Sequence, residues 1–117
     1  MRTLLRSFTF AWHGLCYAWK TQQNFRIEST LGLAALVVAI YLKTGLVPIT
    51  ICIMLVLALE LINSSIEALT DLNTQRVHPL AKIAKDSAAA AVLIASFFSV
   101  AVGVLVLGPA LLKRIFS

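Results

Sequence analysis

The sequence predicts an all-α integral membrane protein: one amphipathic helix at the membrane interface, then three helices that cross the bilayer. Three observations carry that reading. Apolar residues make up 60% of the 117, and the mean hydropathy is +0.92, more than a soluble fold of this size can hide. The apolar residues fall into long runs separated by short polar breaks. The ten Lys and Arg, set against five Asp and Glu, flank those runs. The net charge of +5 therefore points to anionic lipid headgroups and not to nucleic acid. One unit spanning 1–117 is expected.

Residues 3–22 read as the interfacial helix, because Phe8, Trp12, Tyr17 and Trp19 mix with Arg2, Arg6 and Lys20, and rings beside bases favour a bilayer surface. Arg6, His13 and Gly14 interrupt this stretch and no small-residue cleavage site follows, so no cleavable signal peptide is expected. The first span covers 25–42, which rises about 27 Å, slightly short of a ~30 Å hydrocarbon core. Lys43, Thr44 and Gly45 form a tight turn. The second span covers 46–70, with Pro48 in its first turn, where a missing N–H does no harm. Residues 71–81 are polar, contain Pro79 and read as a loop. A third helix starts near Leu80, and its charge-free part, 87–112, is the third span, closed by Lys113 and Arg114. Arg2, Arg6, Lys20, Arg26, Arg76, Lys82 and Lys85 lie on one side of the predicted membrane, and Lys43, Lys113 and Arg114 on the other. That imbalance puts the N-terminus and the 71–81 loop in the cytoplasm. Cys16 and Cys52 show no metal or redox spacing and read as buried thiols.

The five acids are the informative residues. If Leu46 marks one edge of the membrane, Glu67 lies roughly 32 Å further along the helix, at the opposite boundary, and Glu60 lies about 10 Å short of it. Glu28 begins the first span and Asp86 the charge-free part of the third, so all five acids gather at the cytoplasmic level. Glu60, Asn63, Glu67 and Asp71 are spaced 3, 4 and 4 and fall within roughly 80° on a helix, a single polar stripe. An acid at a helix centre costs about 2.5–3.5 kcal/mol on an insertion scale, against about 0.3–0.6 returned by each Leu, Ile or Val. An acid this expensive points to function, although Glu60 and Asn63 could also simply bond neighbouring helices together.

Lys82, Lys85 and Asp86 share one helical face. By themselves they would make an ordinary surface ion pair or membrane anchor. At the same level as the acids they complete a set suited to phosphoryl transfer, in which carboxylates hold Mg²⁺, lysines neutralise phosphate oxygens and a base receives the hydroxyl proton. His78 sits in the loop before them. The chain has no P-loop and no HRD or DFG motif. A small ion-conducting subunit, with Glu60 and Glu67 as a relay, is the rival reading; acids confined to one level count against it. A non-catalytic membrane subunit is a third.

These residues carry a resemblance. The runs ELINSSIEALTD over 60–71, HPLAKIAKDSAAAAV over 78–92 and NFRI over 24–27 resemble the prokaryotic diacylglycerol kinase family, which includes the undecaprenol kinases. The form HPLAKxAKD is more similar to the undecaprenol branch. The resemblance implies a homotrimer with sites shared between subunits, in a bacterial inner membrane, that moves the γ-phosphoryl of Mg²⁺-ATP to a lipid alcohol. The alcohol would be undecaprenol or, alternatively, diacylglycerol, which gives phosphatidic acid. Glu60 corresponds to the proton acceptor and Glu67 to the metal-binding carboxylate. Asn63, Arg76, His78, Lys85 and Asp86 join Glu67 on the nucleotide side. Glu28 and Asp71 fall on the substrate side. Gln22 stands where the family usually has a Glu as second metal ligand; it can offer a carbonyl oxygen but no charge.

Overall fold

The computed structural model describes residues 3–73 and 78–117. Among them are four α-helices and no strand: α1 (Leu4–Thr21), α2 (Gln23–Leu42), α3 (Leu46–Asn73) and α4 (Pro79–Phe116). Three of these, α2, α3 and α4, are long and apolar enough to cross a membrane, with mean hydropathy of 1.6, 2.3 and 2.7 in their most apolar windows. The expected all-helical, three-span architecture is therefore present. Helix α4 has 38 residues and, at 1.5 Å per residue, is nearly twice as long as a bilayer core is thick.

Each break between helices has a local cause. Thr3 caps α1, its hydroxyl accepting the Arg6 N–H at 3.3 Å. Gln22 alone separates α1 from α2, in an extended conformation (φ −113°, ψ 103°). The Arg26 guanidinium reaches back across this elbow and donates to the carbonyls of Trp19 (2.9 Å) and Lys20 (3.3 Å), which lack partners at the end of α1. A cation at the negative end of α1 also favours the geometry. At the other end of α2, Lys43 adopts the left-handed conformation (φ 55°). The Thr44 N–H then bonds the Ala39 carbonyl (3.1 Å) and the Lys43 N–H that of Ile40 (3.2 Å), a Schellman closure that uses the orphan carbonyls. Gly45 follows at φ 72°. His78 caps α4, its Nδ1 accepting the Leu80 N–H at 3.1 Å, with Pro79 at the first helical position, where it lacks only an orphan donor.

Two expectations change. The 71–81 segment is not a loop throughout: α3 continues to Asn73 and α4 begins at Pro79. Asn73 Nδ2 donates to the Leu69 carbonyl at 2.9 Å and Asp71 finds an ion-pair partner, so these polar residues extend the helix instead of breaking it. Cys16 and Cys52 are free but half-buried, short of the full burial expected.

The bundle is thin. Helix α3 packs chiefly on α4 and then on α2, with α1 against both α2 and α3. Buried side chains are small or medium: Ala18, Phe25, Ala39, Ile49, Val56, Ala88, Val92 and Ala95. Small residues let backbones approach where lipid offers no hydrophobic drive between helices. Only 11–17% of each spanning window is buried, so the outward faces require apolar surroundings. Gly45 is the tightest joint: a Cβ there would run into Val106 Cγ1 of α4, and its positive φ disfavours any side chain. Gly45→Ala is expected to lower stability by about 1–3 kcal/mol, read as an earlier loss of ellipticity during SDS titration. An unchanged midpoint would mean that the turn relaxes away from α4.

Candidate active site

The polar stripe of α3 faces inward at its upper end. Glu60 is 2% exposed and Ser64 7%, although both lie in an otherwise apolar core. The Glu28 carboxyl, from α2, comes within hydrogen-bonding reach of the Glu60 carboxyl, and Glu67 lies close enough to act on Glu60 electrostatically. Ser96, from α4, donates its hydroxyl to Glu28 Oε1 at 3.1 Å. Three helices thus meet at Glu28, Glu60 and Ser96. One turn or two further along α3, Asn63 Nδ2 donates to Glu67 Oε1 at 3.4 Å, a long bond. Beyond it, Lys85 of α4 pairs with Asp71 at 2.5 Å.

This cluster is rich in acceptors and poor in donors. Among the described residues, Asn63 Oδ1 and the Ser64 hydroxyl are buried without a hydrogen-bond partner, and Glu28 Oε2 has none apart from the neighbouring Glu60 carboxyl. Buried polar atoms of this kind normally find partners, so their spare capacity suits a ligand's hydroxyl or a cation. Below Glu28 a groove of about 300 Å³ runs between α2, α3 and α4, past Leu31, Gly32, Ile53, Val56 and Ser99. Gly32 lets α2 approach Ile53 closely, since a Cβ there would sit 3.2 Å from Ile53 Cγ1.

The residues singled out from sequence divide into two groups. Glu28, Glu60, Asn63 and Glu67 come together, and Asp71 joins Lys85. Asp86 does not join them: it pairs with Lys82 at 2.5 Å on an exposed face of α4. His78 is occupied in capping α4. Gln22 sits at the α1–α2 elbow, half-buried, with its backbone N–H on Ala18 and no side-chain cap bond. Arg76 lies outside the described residues. Ser96 escaped the sequence reading, because one serine in a long apolar run carries no signal until the fold sets it against Glu28.

Among the described residues no group of three or more His, Cys, Asp and Glu could hold a metal ion by itself. That donor set still suits Mg²⁺, which is usually held by one or two carboxylates, with waters and substrate phosphates completing the shell. Among the described residues Glu67 accepts only the long Asn63 bond and Asn63 Oδ1 has no partner, so oxygen lone pairs remain for such an ion.

Residues 9–107 match the family model for prokaryotic diacylglycerol kinase. The chain is 44% identical over 114 residues to a diacylglycerol kinase of Synechocystis sp., covering 94% of this chain and 65% of that protein. It is 32% identical over 114 residues to an undecaprenol kinase of Bacillus subtilis, covering 95% and 93%. It is 36% identical over 100 residues to a diacylglycerol kinase of Escherichia coli K12, covering 83% and 82%. The chain belongs to the prokaryotic diacylglycerol kinase family, whose members named here are lipid kinases.

The Ser96–Glu28 bond is directly testable. Interhelical bonds in membranes contribute about 0.6 kcal/mol on average and up to about 1.7. Ser96→Ala is expected to cost an amount in that range when unfolding is followed by SDS titration in bicelles. Ser96→Thr, which keeps the hydroxyl, should restore it; equal losses in both variants would mean that packing and not the bond matters.

Proposed function

We propose that the chain transfers the γ-phosphoryl group of ATP to the hydroxyl of a membrane lipid alcohol, at the cytoplasmic face of a bacterial inner membrane. The observation that carries this reading is the vertical order of the polar groups. Glu28, Glu60 and Ser96 form an acceptor-rich spot inside the apolar bundle. Glu67, Asp71 and Lys85 lie progressively nearer the aqueous end, Asp71 being roughly 16 Å along α3 from Glu60. A lipid headgroup entering from the bilayer meets the first set, and a nucleotide entering from water meets the second.

In the reaction the lipid oxygen attacks the γ-phosphorus. Its proton passes to a Glu60 carboxylate oxygen, the new O–P bond forms, and the bond from phosphorus to the β–γ bridging oxygen breaks to release ADP. Glu28, held by Ser96, orients the hydroxyl. Lys85, steadied by Asp71, offsets phosphate charge as it shifts, and Asp86 with His78 would border the nucleotide. Mg²⁺ held by Glu67, with Gln22 as a neutral second ligand, would supply charge neutralisation on the phosphates. Positioning and charge account for most catalysis of this kind.

Undecaprenol is the proposed acceptor, supported by the HPLAKIAKD run over 78–86 and by the similarity to the Bacillus subtilis undecaprenol kinase. The higher identity to the Synechocystis diacylglycerol kinase supports a second reading, with diacylglycerol as acceptor and phosphatidic acid as product. A homotrimer with its N-termini in the cytoplasm completes the proposal. In it α1 would lie on the membrane surface, where its exposed Leu4, Leu5, Phe8, Trp12 and Trp19 would find headgroups and upper acyl chains.

The test is phosphotransfer from labelled ATP in mixed micelles, with undecaprenol and diacylglycerol offered separately. One of the two should turn over; silence on both, with an intact fold, would overturn the reading. Glu60→Gln is expected to lower kcat about 10²–10⁴-fold, and Glu67→Gln about 10²–10³-fold. Gln22→Glu adds a charged ligand and should lower the Mg²⁺ concentration for half-maximal rate. An unchanged Mg²⁺ dependence would place Gln22 outside the metal shell.

A further inference from the structure

The opposite end of the bundle carries charge that the reaction does not use. Lys43 lies in the α2–α3 turn, and Lys113 and Arg114 close α4. At the acid-bearing end, Lys82 and Lys85 each pair with a carboxylate. Among the described residues, no carboxylate pairs with Lys43, Lys113 or Arg114. The acids nearest to Lys43 along the chain are Glu28 and Glu60, each more than about 20 Å away by helix rise.

The structure ties one of these bases to the end of α2. The Arg114 guanidinium donates to the Tyr41 hydroxyl at 3.1 Å and lies over the Tyr41 ring, 4.8 Å from its centroid. This ties the last turn of α4 to the last turn of α2, two residues before Lys43. Beside the turn is a hollow of about 460 Å³, walled by Ile40, Lys43, Thr44, Gly45, Val47 and Pro48. Around the bases the surface is apolar and open: Val47, Leu112, Ile115 and Phe116 are 69%, 57%, 61% and 81% exposed. Past Pro109, Leu111, Leu112, Ile115 and Phe116 recur at helical spacing on one side, with Lys113 and Arg114 between them. Lys113 and Arg114 also fall beyond residue 107, where the family match ends.

We propose that Lys43, Lys113 and Arg114 form a binding site for the phosphate of an anionic phospholipid headgroup, in the leaflet opposite the candidate active site. Unpaired cations call for an anion, and the Arg114 fork, steadied by Tyr41, suits phosphate oxygens. The apolar faces beside the bases select an anion that brings acyl chains. A free phosphate would leave those faces without a partner, so the occupant is the lipid.

The experiment titrates phosphatidylglycerol, with phosphatidylcholine as comparison, onto the full chain in detergent and counts retained lipid by native mass spectrometry. Phosphatidylglycerol should be retained in preference. Each base near an anionic headgroup is worth on the order of fivefold, so the triple variant Lys43→Gln, Lys113→Gln, Arg114→Gln should weaken that preference at least about tenfold. Arg6→Gln with Lys20→Gln, at the other end, should not abolish it. Arg114→Lys keeps the charge and guards against misfolding of the triple variant; it should retain most of the preference. Undiminished preference in the triple variant would overturn the proposal. Displacement by inorganic phosphate, but not by chloride at equal ionic strength, would also overturn it, by making free phosphate the occupant. Lipid phosphorylation in mixed micelles should persist in the triple variant, so the outcome is independent of the proposed reaction.

Discussion

A carboxyl group that is 2% exposed within a helix of mean hydropathy 2.3 is the constraint around which this bundle is arranged. Neither lipid nor water can serve Glu60 at that depth, so its neighbours must. Helix α2 brings Glu28 to it, and α4 brings Ser96 to Glu28. The packing follows from that meeting. Gly32 allows α2 to come close to α3, and Ala88, Val92 and Ala95 keep the buried face of α4 narrow. Larger residues at these places would hold the three backbones apart and strand the acid.

The joints at both ends keep the meeting in register. At the acid-bearing end Arg26 clasps the last carbonyls of α1, so the elbow at Gln22 has a defined angle and α1 lies across α2 and α3. At the other end the left-handed Lys43 and the close approach of Gly45 to Val106 lock the α2–α3 turn against α4. Helix α4 runs along α3, carrying Lys85 to Asp71 at one end and Arg114 to Tyr41 of α2 at the other. One long helix therefore serves two chemically different ends, one where acids and bases are mixed and one where, among the described residues, the charged side chains are basic.

Much of this was legible before any coordinates. Apolar runs give the spans because a bilayer admits little else, and the 3–4–4 spacing from Glu60 to Asp71 places those residues on one face by helix geometry alone. Local signals also predicted the Lys43–Gly45 turn. What sequence could not give is contact between helices. Nothing in the spacing of Glu28 says that it meets Glu60, and Lys85 could have paired with Asp86, its neighbour, instead of Asp71. The reading of 71–81 as a loop weighed polarity too heavily, since a helix leaving the membrane can stay helical when its polar side chains find partners. Ser96 and Ser64 were invisible for a related reason: a small hydroxyl in an apolar run acquires meaning only from what faces it.

The unsatisfied atoms connect structure to chemistry. In a chain finished by packing alone, Glu28 Oε2, Asn63 Oδ1 and the Ser64 hydroxyl would have found partners, because an unpaired buried polar group costs about 1–3 kcal/mol. Two of them are neighbours on α3, and the third lies on α2 beside Glu60, so the fold retains polar capacity where the apolar groove meets the charged end. Ser64 lines a separate hollow with Ala11, Gly14 and Ala18 of α1, so the capacity opens both toward the apolar groove and toward α1. Under the proposed reaction, an alcohol would reach this place from one direction and a polyanion from the other, and the stability given up locally would let two ligands of opposite solubility meet.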